Sequence, residues 1–198
     1  MDPDYFRKMY HDHDDPWGFT DRWYEHRKVA LTTALLPRSR YGRGLEIGSS
    51  IGVLSAELAR RCDGLLCLEL EPRAAELAAE RVRSFGDRVH IRVTDFFADR
   101  PAGPFDLIVL SEVLYYASAD QLAATVDWLP VALAAGGAVI AVHWRHPVAE
   151  YPLTGDQVHD TLTAGGLAVA ATYQDADLRA DVLIHPQTPS VAADGGLV

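Results

Sequence analysis

The strongest constraint on this chain is a rhythm. From residue 44 onward, short apolar runs alternate with amphipathic stretches. The runs are GLEI at 44–47, LLCLE at 65–69, VHIRVT at 89–94, FDLIVL at 105–110 and GAVIAV at 137–142. Continuous apolar runs of this length, bounded by turn residues, suit parallel strands covered on both faces. The stretches between them read as helices over 51–61, 72–84 and 118–134. Val53, Leu54 and Leu58 share one face of the first, Pro72 opens the second, and Gly136-Gly137 supplies a stop for the third. Such alternation predicts a parallel sheet with helices on both faces.

The ending departs from the rhythm. A helix near 154–164 stops at Gly165-Gly166, and LAVAATY (167–173) and ADVLIH (180–185) follow with only a short polar link between them. Two strands so joined form an antiparallel hairpin at the sheet edge. The expected fold is therefore α/β: a Rossmann-like, doubly wound, seven-stranded sheet of five parallel strands plus a C-terminal antiparallel hairpin. A helical segment at roughly 21–36, stopped by Pro37, precedes the core and makes residues 1–37 an N-terminal helical lid. The reading gives one domain over 1–185, with its core at 44–185, and a flexible tail at 186–198.

Composition narrows the functional classes. The formal net charge is -10, and no long Lys/Arg run interrupts it, which argues against nucleic acid as a partner. The most apolar run, 128–142, is broken by Pro130 and Gly136-Gly137, too short to span a bilayer. Cys62 and Cys67 lack a second ligand pair and read as reduced, partly buried thiols rather than a zinc site. The N-terminus is polar and has no signal-peptide core. A cytoplasmic protein with no membrane partner is expected. HDHDD at 11–15 reads as a solvated loop, and no metal is assigned.

In an open α/β sheet, ligands bind beyond the carboxyl ends of the strands. The first such exit reads Glu46-Ile-Gly48-Ser49-Ser50-Ile-Gly52 before a helix. Small residues at that turn let backbone approach a ligand, and the helix start offers free N–H groups. The dinucleotide pattern G-x-G-x-x-G is absent, and no Gly-Lys-Ser/Thr follows to make a P-loop. The second strand closes on Glu69 and Leu70, where an acid can bind both ribose hydroxyls. The third runs into Asp95-Phe96-Phe97, and the fourth into Ser111-Glu112-Val113-Leu114-Tyr115-Tyr116.

This ordered set resembles the class I S-adenosylmethionine-dependent methyltransferases. The family usually carries a third glycine where Ser50 stands; Ser50 would tighten the turn or bond the cofactor's methionine end. The resemblance implies S-adenosylmethionine as cofactor. It implies that Glu46, Gly48, Ser49, Ser50 and Gly52 form its loop, with Glu69 and Leu70 at the ribose. Asp95 and Phe96 would take the adenine, and Ser111 would lie beside the methionine part. A narrower likeness lies in DPWGF (15–19), WYEHRK (23–28), HWRHP (143–147) and YPLTGDQVH (151–159). These resemble the nodulation N-methyltransferase (NodS-like) group, whose members methylate the free amine of a deacetylated chitooligosaccharide.

On this reading the lid contributes Trp17 and Tyr24, whose aromatic faces suit a sulfonium, and Lys28, whose cation can pair with the cofactor carboxylate. Arg27 is a further cation on the same helical face. Methyl transfer is an in-line displacement, so the protein has to align the reactants, exclude water and take a proton from an amine acceptor. His143, directly after GAVIAV, is the leading candidate base, with Glu112 and Tyr115 beside it. Tyr116, Trp144, Arg145 and His146 are candidate acceptor contacts. The favoured activity is N-methylation of a small molecule, an amino sugar or specialised metabolite. O-methylation of a hydroxyl, a nicotinamide-dependent oxidoreductase and a non-catalytic partner subunit stay open, as does the oligomeric state.

Overall fold

The computed structural model describes residues 3–198. Its strands are β1 (Tyr41–Ile47), β2 (Cys62–Glu69), β3 (Val89–Val93), β4 (Phe105–Ser111), β5 (Leu133–Trp144), β6 (Ala168–Gln174) and β7 (Leu178–Ile184). They form one seven-stranded sheet in the order β3-β2-β1-β4-β5-β7-β6. The first five run parallel, and β7 lies antiparallel between β5 and β6. The fold is thus the expected Rossmann-like sheet with its antiparallel C-terminal pair. Strand order reverses between β1 and β4, and the crevice above that reversal is where such folds bind ligands.

The helices are α1 (Pro3–Asp12), α2 (Trp23–Leu35), α3 (Val53–Ala59), α4 (Pro72–Val82), α5 (Ala119–Ala132), α6 (Gly155–Thr163) and α7 (Val191–Asp194). Period-two alternation along the strands sets the two faces. Leu107 and Val109 of β4, with Ile140 and Val142 of β5, pack with Leu58 of α3 and Val82 of α4. Ile108, Leu110, Val139 and Ala141 pack on the other side with Leu122 and Leu129 of α5 and with Val158 and Leu162 of α6. Cys62 and Cys67 are buried and free.

Three boundaries differ from the sequence reading. The glycine pair does not stop the third inter-strand helix: α5 ends at Ala132, two residues past Pro130, and β5 begins at once. Gly136 then takes a left-handed φ of 71° inside β5, where the pairing slips between Phe105 and Leu107 of β4. Residues 3–12, read only as part of a lid, form a full helix. Residues 186–198 carry the helical turn α7, capped by Ser190.

Candidate active site

The β1–α3 turn is built on left-handed backbone. Gly48, Ser50 and Gly52 have φ of 76°, 48° and 79°. The amides of Gly48 and Ser49 both donate to the carbonyl of Leu68, at 2.9 and 3.1 Å, which ties the loop to β2. At Gly52 a side chain is also excluded by space: a Cβ would sit 2.9 Å from Cα of Ala78 in α4. Ser50 holds the left-handed position without glycine's freedom. Its amide donates to Glu69 at 2.6 Å, and its hydroxyl lies 2.5 Å from that of Tyr10 in α1. The Ser50 hydroxyl is therefore engaged by the lid.

Around this turn lies a cavity of about 450 Å³, within the range of small-molecule sites. On one side stand the exits of β2 and β3. Glu69 accepts from the amides of Ser50, Leu70 and Glu71, which leaves acceptor capacity on Oε2. Burial pushes its carboxyl above the usual range, and those backbone donors oppose the shift. Asp95 accepts from the amide of Phe97, and the buried ring of Phe96 lines the wall. Glu46 lies beneath the loop, accepts from Ser55 Oγ at 2.5 Å, and is pushed by burial up to about 7.

On the other side stand the exits of β4 and β5 and the lid. Ser111 ends β4, and Glu112 follows with φ of 56°. A non-glycine residue in that region costs about 1 kcal/mol or more. Three donors hold the Glu112 carboxylate: Lys28 Nζ at 3.2 Å, Tyr115 OH at 2.5 Å and the amide of Trp144 at 3.1 Å. Lys28 also lies 2.7 Å from Glu25. Tyr24 meets Trp144 edge-on at 4.9 Å, and Tyr115 stacks on Tyr151 at 4.9 Å. Trp17 packs against Tyr10 and Phe19 and lines the cavity.

Most of the expected residues converge here; five do not. His143 is fully buried and faces away, because period-two alternation puts it on the α6 side with Val139 and Ala141. Its Nε2 accepts from the amide of Leu114 at 3.2 Å, so Nδ1 carries the proton and donates to His159 Nε2 at 3.1 Å. His159 in turn donates to Asp181 at 2.7 Å. Burial, then the neighbouring His159, hold the His143 pKa well below its usual value. This imidazole is a neutral strut under the Leu114–Tyr116 turn, not a base in the cavity. Arg145 is drawn off by Asp156 at 2.9 Å, and the exposed His146 by Asp177 at 2.7 Å. Gly52 serves helix packing rather than the cavity wall. Arg27, the further lid cation, turns to Asp175 at 2.7 Å.

Sequence reasoning missed Tyr10, Phe19, Glu25 and Tyr151, all of which line the cavity. Glu25 carried a usable signal, being three residues before Lys28 on one helical face.

Ser49 and Tyr24 line the cavity, and their buried hydroxyls have no hydrogen-bond partner. Buried donors left so call for a ligand. With a glycine loop at β1 and acids ending β2 and β3, these orphans fit S-adenosylmethionine. Among the described residues no group of three ligating side chains could hold a metal; within HDHDD, Asp14 pairs with Arg73 and Asp15 caps the turn at Phe19 and Thr20. No described helix is long and apolar enough to cross a membrane.

The fold and the arrangement of the site are those of the class I S-adenosylmethionine-dependent methyltransferases. Residues 4–151 match the family Nodulation protein S (NodS), and the chain belongs to that family. Nodulation protein S of Rhizobium tropici is 31% identical over 106 residues, covering 52% of this chain and 43% of that protein. The matched segment thus spans less than half the length of that relative. A large Salinispora arenicola chain assigned as a nonribosomal peptide synthetase, CymA, is 32% identical over 161 residues, 75% of this chain and 2% of that one. Among solved structures, N-methyltransferase NodS from Bradyrhizobium japonicum WM9, in complex with S-adenosyl-L-homocysteine, superposes with a TM-score of 0.83 at 26% identity, covering 93% of this chain and 98% of that one. A Pseudomonas syringae protein assigned as a methyltransferase is 37% identical, with a TM-score of 0.71 over 82% of this chain and 99% of that one.

Proposed function

We propose that this chain transfers a methyl group from S-adenosylmethionine to the amine of a small molecule, an amino sugar or a specialised metabolite. The observation that carries the reading is the continuity of one cavity. It runs from the Gly48–Ser50 turn, Glu69 and Asp95 to an aromatic and acidic chamber at Glu112, Tyr115 and Trp144. When bound, S-adenosylmethionine supplies an electrophilic methyl group on a sulfonium. Glu69 would hold the ribose, Asp95 and Phe96 the adenine, and the backbone at Gly48 and Ser49 the methionine part.

The remaining work falls to the chain's own residues. Tyr115, Tyr116, Tyr151 and Trp144 wall the chamber and exclude water. An amine has to be neutral when its lone pair attacks, and a nearby carboxylate can take its proton. Glu112 is suited to this: Oε1 accepts only from Lys28 and keeps a free lone pair. The amine preference is supported by the N-methyltransferase name of the Bradyrhizobium structure, and the specialised-metabolite setting by the peptide-synthetase name of CymA.

Calorimetric titration with S-adenosylhomocysteine and NAD, followed by transfer of labelled methyl to paired amine and hydroxyl acceptors, tests the proposal. Binding of the sulfur ligand and labelling of amines support it. No binding, binding of NAD instead, or labelling of hydroxyls alone would overturn it.

A further inference from the structure

The chamber contains an ion cluster that neither the glycine loop nor the sheet requires. Lys28 Nζ lies 2.7 Å from Glu25 and 3.2 Å from Glu112, and the three side chains are 6%, 9% and 15% exposed. Two carboxylates share one ammonium, so the buried cluster has an excess of negative charge. Burial opposes the charge on Lys28, yet Glu112 and Glu25 outweigh it and hold its pKa above the usual lysine value. Burial likewise lifts Glu25 above the usual carboxylate range, against the pull of Lys28. An uncompensated buried charge is costly, and a cationic ligand removes the cost.

Two features of Tyr24 point the same way. The Tyr24 hydroxyl is shielded from solvent and has no partner. The Tyr24 ring centroid lies 5.4 Å from Lys28 Nζ and 4.9 Å from the Trp144 ring. Aromatic faces beside excess carboxylate complement a cation. The cluster also stands on the correct side. Glu112 follows β4 and Trp144 ends β5, across the β1 turn from Glu69, which ends β2, and Asp95, two residues past β3.

We propose that Glu25, Lys28, Glu112 and Tyr24 form the subsite that receives the acceptor's amine as an ammonium ion, selecting cationic amines over hydroxyl acceptors. The inference rests on the methyltransferase reading above. Glu25, on the lid helix, supplies the second carboxylate that makes the cluster anionic.

The test needs no knowledge of the acceptor. Sinefungin is an analogue of the cofactor in which a carbon bearing a primary amine replaces the methylated sulfur, so its ammonium projects where the methyl group would. Titration calorimetry compares it with S-adenosylhomocysteine on the full chain. The wild type should bind sinefungin at least about tenfold more tightly, the size of one charge-assisted contact. Glu25→Gln should bring the ratio near unity while still binding S-adenosylhomocysteine, which reports an intact fold. Tyr24→Phe, which keeps the ring and every charge, should lower the ratio several-fold and covers the case in which Glu25→Gln does not fold. A wild-type ratio near unity, or a ratio unmoved by both substitutions, would overturn the subsite alone. Absence of S-adenosylhomocysteine binding to the wild type would overturn the methyltransferase reading and the subsite with it.

Discussion

The hydroxyl of Tyr10 lies 2.5 Å from that of Ser50, so the first helix is tied to the β1–α3 turn at the one position where a side chain replaces the glycine usual in class I methyltransferases. The substitution has a cost, since Ser50 sits at φ of 48°, and a gain, since it fastens the lid. Left-handed strain and one hydrogen bond are each worth about 1 kcal/mol. Ser50→Gly should therefore leave global stability within about 1 kcal/mol of wild type. Tyr10→Phe should also unfold at nearly the same denaturant concentration. Both should loosen α1, seen as faster limited proteolysis within residues 3–12 and weaker S-adenosylhomocysteine binding. Unchanged proteolysis in both variants would mean that the aromatic contacts of Tyr5 and Phe6 with Tyr116 hold the helix unaided.

Glu69 makes a sharper case. Three amides converge on its carboxylate, and burial makes an ionised acid there depend on those donors. Glu69→Gln replaces an acceptor oxygen with a donor against the same amides and halves the capacity for ribose hydroxyls. Losing a charge-assisted contact should weaken S-adenosylhomocysteine by at least about tenfold in calorimetry. An unchanged affinity would remove Glu69 from the ribose site.

Gly52 matters through space rather than through ligand contact. A methyl group there would meet Cα of Ala78 at 2.9 Å on a backbone with φ of 79°. Because the obstacle is backbone, α3 and α4 have to part. Gly52→Ala should destabilise the chain by about 1–3 kcal/mol, read as a lower urea midpoint, with loss of S-adenosylhomocysteine affinity as the turn shifts. A neutral substitution would mean the two helices separate at little cost.

What the sequence made legible follows from where the information lies along the chain. Strand exits are local: Gly48, Glu69, Asp95 and Glu112 each close a run whose periodicity announces it, so the order of the site could be read directly. Partnerships across the chain could not. Lys28 sits between Glu25 and Glu112, the second of them 84 positions away, and the lid residue Tyr10 meets Ser50 across 40 positions. Helix α1 was legible and was passed over: Tyr5, Phe6, Met9 and Tyr10 recur at helical spacing on one face among charged residues. His143 was a miss of the same kind. Its side of the sheet was available from Ala141 and Val139, two and four residues earlier, and counting in twos would have turned it away from the cavity.

That orientation reverses the expectation for His143. With Leu114, His159 and Asp181 it forms a chain of buried hydrogen bonds beneath the turn that presents Tyr115 and Tyr116. His143→Leu leaves the Leu114 amide without an acceptor and should cost about 1–3 kcal/mol of stability in urea melts near pH 7.5. His143→Gln, which offers a carbonyl oxygen, should recover part of the loss. The folded-state pKa is depressed, so the stability contributed by the neutral imidazole is full above the unfolded value of about 6.5 and fades as pH falls below it. The leucine variant should lack that component of acid sensitivity. A loss of turnover with no loss of stability would restore His143 as a catalytic group.

Glu46 gives the opposite sign of pH dependence. Burial raises its carboxyl from 4.5 to about 7, partly opposed by the bond from Ser55. The folded state therefore holds this proton more tightly than the unfolded chain. The contribution is fully present below about pH 4.5 and is lost as pH rises through about 7. A shift from 4.5 to about 7 is worth at most about 3 kcal/mol at 1.36 kcal/mol per pKa unit. Glu46→Gln keeps an acceptor for Ser55 and has no charge to bury. Its stability relative to wild type should rise between pH 5 and 7 and level off near pH 8, measured by urea unfolding of the ligand-free chain at each pH. Parallel wild-type and variant curves over that window would mean that Glu46 stays ionised beneath the loop, with Ser55 and its surroundings solvating the charge.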